Sequence, residues 1–330
     1  RSTTEMVLGS SLLSIVMNYS NTILRANPND ISLSYLKTHA WFLSSVMKAS
    51  HDIGEMSHGH DMYALLSLNQ SFSLFIFNKN EEILTEAFWT FSYAIEHKWE
   101  SIRLAIKQQL ESYTLINLLE NLRKKSFIVK RPLIQVLYRF LRLSNLNISW
   151  DLTTDKLDLL IEQLYCSYED IRVELYMILY FLAENSTVVS DYLQLHPFLS
   201  MLFLRIHSEK SKPKACTLSL LSLIIQTGSV THVEELISQW RVIDILLEQL
   251  NEGQEIIIRS VISCLSSLLS IPDLDPLRIG EDNQVVHILE NSEQYHLLEQ
   301  LMDISNKTIS NEAYQLFAKF IFTSKFIIEE

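Results

Sequence analysis

The segment EAFWTFSYAIEH, residues 86–97, sets Glu86, Trp89 and Tyr93 at three- and four-residue intervals, which is one side of a helix. A carboxylate, an indole and a phenol in that order can hold a ligand, because an aromatic face attracts a cation and an acid one turn away neutralises it. Core packing is the competing reading, since a Trp on an apolar helix face is ordinarily interior. Phe88, Phe91, Ala94 and Ile95 can fill the core without Trp89, so the indole is expected at the surface.

Other clusters carry weaker chemistry. HDIGEMSHGHD collects His51, Asp52, Glu55, His58, His60 and Asp61, but His58 and His60 do not follow a helical ligand spacing and two glycines mark a loop. No metal is expected there. LRKKSFIVKR, residues 122–131, carries five cations in ten residues and reads as a solvated helix terminus, where Lys and Arg complement the helix dipole. There is no phosphate-binding glycine loop, no GxSxG and no suggestive pairing of Cys with His, so neither an enzyme nor a cofactor is expected. Cys166, Cys216 and Cys264 lie far apart, each in an apolar helical pattern, and read as reduced core residues of an intracellular protein.

Charge narrows the partners. A net charge of −12 works against direct nucleic-acid binding and favours basic ligands. No apolar run approaches the roughly 18 residues that span a bilayer, and no membrane partner is expected. The opening RSTTEMVLGSSLLSIV enters a pattern already in progress, so the chain is expected to be a piece of a longer one.

The elements that must position these residues form a repeat. LLENL at Leu118, LIEQL at Leu160, LLEQL at Leu246 and LLEQL at Leu297 recur, with Leu202 of PFLSMLFLRI filling the long gap, so one unit of about 40 to 50 residues runs through the chain. Between the copies lie long amphipathic helices such as ILTEAFWTFSYAIE, KRPLIQVLYRFLRL and DIRVELYMILYFLAE, whose apolar faces are broad enough to be covered on two sides. Short stretches such as ENSTVVSDYLQL and VTHVEELISQ supply a first helix. A single unit cannot bury its helices alone, and stacking gives one helical solenoid over residues 1–330 instead of two globular domains. With six Gly and six Pro in 330 residues, strands and tight turns are not expected.

YLKTHAWFLSSVMK, residues 35–48, and ILTEAFWTFSYAIE, residues 83–96, resemble the third helices of middle armadillo repeats in importin α, the adaptor of nuclear-localisation peptides. That family places an acid three residues before a Trp and an Asn, or sometimes a Tyr, four residues after it. GSSLLSIVMNYS, HPFLSMLFLRIHSE and EAYQLFAKFIFTSKFIIEE resemble other helices of the family in matching order. The resemblance implies an all-α, right-handed superhelical solenoid of about seven three-helix armadillo repeats, without the family's amino-terminal importin β-binding segment and first repeats.

It also implies a function and a site. The chain would be a transport adaptor that binds basic localisation peptides or folded cargo, works with importin β and an export receptor, and moves between cytoplasm and nucleus. Trp41 and Trp89 would form neighbouring slots, with Glu82 and Glu86 facing the peptide's cations and Tyr93 doing part of the amide's work. Ser45 stands where Asn is usual and is too short to replace it. Farther on, the Trp position falls at Ile134, Met177, Thr217 and about Ser263, and the Asn position at Tyr138, Phe181, Leu221 and about Ser267. The acid survives as Glu174 but becomes Lys214, a sign change expected to repel a basic peptide, so the minor peptide site is expected to be altered. The alternative is an armadillo scaffold that has lost localisation-signal recognition.

Overall fold

Helix follows helix wherever the computed structural model describes the chain: residues 31–53, 75–76, 78–97, 100–112, 115–143, 153–271 and 284–318. No strand occurs among the described residues, and no helix there is long and apolar enough to cross a membrane. Contacts divide the chain into two compact units, Arg1–Gln163 and Leu164–Glu330.

In the first unit the helices are α1 (Leu33–Ile53), α2 (Glu81–Ile95), α3 (Glu100–Ser112), α4 (Leu115–Lys124), α5 (Phe127–Leu143) and α6 (Thr154–Gln163). The long helices α1, α2 and α5 pack side by side in that order, while α4 packs on α6. Asn80 starts α2 by accepting the Glu82 and Ile83 amides at 3.1 and 3.3 Å, a cap worth about 1 kcal/mol. The apolar face of α2 is then sunk completely: Ile83, Ala87, Phe88, Phe91 and Ala94 are inaccessible to solvent. Each such Phe contributes roughly 2–3 kcal/mol of burial.

The second unit contains α7 (Glu169–Asn185), α8 (Thr187–Leu193), α9 (His196–Ser208), α10 (Ser211–Thr227), α11 (Val230–Ser238), α12 (Val242–Gln249), α13 (Glu255–Leu269), α14 (Gln284–Asn291), α15 (Tyr295–Gln300) and α16 (Lys307–Leu316). From α8 onward they fall into three-helix groups: short, middle, long. The long helices α7, α10, α13 and α16 pack consecutively. Ser186 and Ser229 cap the short helices α8 and α11, and Asn306 caps α16. The Leu-rich middle helices present the recurring residues inward, with Leu160, Leu202 and Leu246 fully buried in their respective units. Gly253, at φ +66°, reverses the chain between the 3-10 turn Leu250–Glu252 and α13, a conformation other residues enter with strain.

The three cysteines are free. Cys264 is buried in α13 and Cys216 is half-buried in α10, where burial pushes its thiol up to about 11. Cys166 corrects the expectation of a helical core residue, because it lies in the turn after α6, half-buried, with its sulfur 3.6 Å from the Tyr168 carbonyl. Of the HDIGEMSHGHD stretch, residues 54–61 and the side chains of 51–53 lie outside the described residues, as does GSSLLSIVMNYS. No group of His, Cys, Asp or Glu among the described residues could hold a metal.

Candidate functional site

The least buried positions of α1 and α2 form a polar and aromatic stripe, fully open at Trp41 and Glu82 and half-buried at Glu86, Trp89 and Tyr93, because each helix commits its other positions to the core. On α2 the stripe is Glu82, Glu86, Trp89, Tyr93 and Glu96. The Trp89 indole is half-buried and lies parallel to the Tyr93 ring, with centroids 5.9 Å apart and planes 21° from each other. An offset stack of this kind holds both rings in one orientation. On α1 the corresponding positions are Thr38, Trp41 and Ser45. Trp41 is 59% exposed, and its neighbours Ala40, Leu43 and Met47 take the core positions.

Two polar contacts set the register between these helices. Glu86 accepts the hydroxyl of Ser44, one turn beyond Trp41, which ties its carboxylate to α1 at that level. Lys37 pairs with Glu82 at 2.5 Å, both groups being substantially open to water. Glu82 thus meets a cation of its own chain, and an exposed pair of this kind contributes about 0–1 kcal/mol and yields readily to a competing ligand. Ser45 is half-buried on α1.

The next helix, α5, answers with cations. Arg139 lies with its guanidinium carbon 5.9 Å from the Tyr93 ring centroid, its Nε 3.2 Å from Glu96, and its Nη1 donating to the Ser92 carbonyl at 2.9 Å. Arg142 also pairs with Glu96 and stands 5.5 Å from the Tyr138 centroid. Ser92 donates to Gln135 at 3.3 Å. Lys37, Glu96 and Arg139 are therefore part of the site although the pattern of acid, Trp and amide does not single them out. Their signal in the sequence is only a charged residue on the solvent side of each long helix.

Several assignments along the later repeats shift. Ile134 is buried in α5, and the neighbouring half-buried position is Gln135. Thr217 is fully buried and donates to the Pro213 carbonyl at 2.8 Å, so Ser219 faces outward in its place. Leu221 is likewise interior. Met177 and Phe181 on α7 are half-buried, Ser263 on α13 is exposed, and Ser267 is buried against Ser222 at 2.8 Å. Lys214 does not offer a repelling charge to a ligand: its side chain is 3% exposed, and its ammonium turns inward to Gln249 at 2.9 Å and to Glu252. The long helix α10 is buried on nearly all sides, and α13 keeps an outward stripe of Glu255, Arg259 and Ser263.

In the second unit that stripe lines an open groove of about 600 Å³, bordered by Ser219, Glu255, Arg259, Ser260, Ser263 and Glu312. Arg259 donates to both Glu312 oxygens at 3.0 and 3.1 Å. Glu312 holds the Arg259 guanidinium above its usual range, chiefly through those hydrogen bonds. Hydroxyls and one ion pair replace the aromatic and amide ladder there. The basic stretch of residues 122–131 spans the end of α4 and the start of α5, where Lys125 donates to the Lys79 carbonyl at 3.3 Å and Lys130 to Gln163 at 3.1 Å.

No protein-family model matches the sequence, and no curated protein matches it. Solved structures do match. A designed armadillo-repeat protein, YIII(Dq)4CqI, superposes with a TM-score of 0.60 at 16% identity, covering 76% of this chain and 98% of its own. A second, YIII(Dq.V1)4CPAF, in complex with the peptide (KR)4, gives 0.61 at 17% identity, covering 77% and 99%. Computationally designed armadillo-repeat proteins for modular peptide recognition give 0.52 at 15% identity, covering 84% and 99%. With its groups of short, middle and long helices, the chain has the fold of an all-α armadillo-repeat solenoid.

Proposed function

We propose that this chain is a peptide- or protein-binding armadillo scaffold that grips an extended segment at Trp41 and Trp89. The observation that carries the reading is the exposure of Trp41 on an ordered helix whose core positions are already filled. A large rigid aromatic without a packing role is the side chain that dominates binding energy when a partner covers it. The Glu86 carboxylate, tied to α1 at that level, suits a Lys or Arg, whose stem packs on the indole while its charge meets the acid. Armadillo-repeat proteins of similar fold, some computationally designed for modular peptide recognition and another in complex with the peptide (KR)4, support the reading. The mechanism is binding without covalent chemistry.

The more specific proposal is an importin-α-type adaptor that hands basic cargo to importin β and an export receptor, between cytoplasm and nucleus. The pairing of Trp41 with Trp89 on adjacent long helices favours it. The loss of aromatic rungs beyond α2 favours a general interaction scaffold, which is the broader reading. Calorimetric titration of a Lys/Arg peptide of about eight residues tests the site. Wild type is expected to bind, and Trp89→Ala or Glu86→Lys to weaken binding by about 1 kcal/mol or more. Equal affinity in all three proteins would remove the site.

A further inference from the structure

We infer that Arg139 is an internal ligand of the rung beyond Trp89 and fixes how many cations a bound segment can place on the ladder. This rests on the peptide-binding reading above. The Arg139 guanidinium has an aromatic face in Tyr93, a carboxylate in Glu96 and a main-chain acceptor in Ser92. A cationic side chain of a ligand would use the same kinds of partner. The contacts are sheltered from water: the side chains of Arg139 and Glu96 are only 17% and 18% exposed, against 59% for Trp41.

Charge points the same way. Among the described residues, Arg139 and Arg142 both pair with Glu96, which sets two guanidinium groups against one carboxylate at this rung. A second external cation would find the Tyr93 face taken and meet like charge, which disfavours it. The ligand class that follows is an extended segment with its Lys or Arg at Trp41 and Trp89 and a neutral or acidic residue next, toward α5. Arg139 acts here as a specificity-determining residue.

Calorimetry with two peptides tests this, one carrying two cations and one carrying six, on wild type, Arg139→Ala and Arg139→Lys. In wild type and Arg139→Lys the added cations should improve affinity by less than about twofold beyond their statistical gain, while in Arg139→Ala they should improve it by about fivefold. The same dependence on cation number in wild type and Arg139→Ala would overturn the inference. A second readout separates it from the parent reading: millimolar ethylguanidinium should add a saturable change in tryptophan emission in Arg139→Ala beyond any that wild type shows through Trp41 and Trp89, because Trp89 stacks on Tyr93. If no protein binds either peptide yet ethylguanidinium fills the Arg139→Ala slot, the peptide-binding reading fails and the internal ligand stands. If ethylguanidinium acts alike on Arg139→Ala and wild type, the inference fails regardless of the peptides. Arg139→Gln, which keeps much of the side chain's packing, repeats both measurements should Arg139→Ala unfold.

Discussion

Glu209, at the end of α9, holds Arg172 of α7 at two points, Nε–Oε1 at 2.7 Å and Nη2–Oε2 at 2.6 Å. The Glu209 side chain is 1% exposed and also accepts the Tyr176 hydroxyl at 3.4 Å, with Arg205 at 3.6 Å. Removing one partner of such a pair leaves a buried charge uncompensated, which typically costs 3–5 kcal/mol. Glu209→Ala is therefore expected to destabilise the protein by roughly 3 kcal/mol in urea unfolding. Because both faces of a solenoid repeat depend on their neighbours, the loss should lower the cooperativity of the transition as well.

His39 supplies a pH dependence. It is buried in α1, stacked on Tyr35 at 5.9 Å and tilted against Phe75 at 5.7 Å, and burial lowers its pKa from 6.5 to about 4. The folded state binds its proton less readily than the unfolded state, so stability is full above pH 6.5 and is lost as pH falls toward 4. The contribution is on the order of 3 kcal/mol. His39→Phe should flatten this part of a plot of stability against pH, measured by denaturant unfolding at each pH.

Lys214 separates a structural cation from one at the ligand face. Its ammonium is turned to Gln249 and Glu252, away from solvent. Lys214→Gln should cost about 1–2 kcal/mol in thermal or urea unfolding, from partners left unsatisfied. Peptide affinity should stay within about twofold, because the charge does not reach the ligand.

Much of the fold is legible in the chain because the repeat is written in spacing. Leu118, Leu160, Leu202 and Leu246 mark the middle helices, and they are buried there. Ser186 and Ser229 sit where the short helices begin, so even those weak elements have readable starts. Register within α5 and α10 is another matter. KPKACTLSLLSLII is apolar around nearly its whole circumference, so periodicity cannot tell Thr217 from Ser219, and the burial of one and half-exposure of the other are set by packing on α7 and α13. Lys214 misleads for the same reason: residue type suggests an outward charge, while its direction depends on Gln249 and Glu252, 35 and 38 residues away. Trp89 and Tyr93 are legible as a stripe, but Arg139 is not, since its contact with Tyr93 arises only when α5 packs on α2.

Whether the Trp41 indole holds a peptide cation is decided by a double-mutant cycle that pairs Trp41→Ala in the protein with Lys→norleucine in the bound peptide, read by calorimetry. Norleucine keeps the aliphatic stem and removes the charge, so the cycle isolates the cation's interaction with the indole. A cation seated on the indole gives a coupling energy of about 0.5–1 kcal/mol between Trp41 and one peptide lysine. Additive effects at every lysine, or affinity indifferent to Trp41, would contradict it.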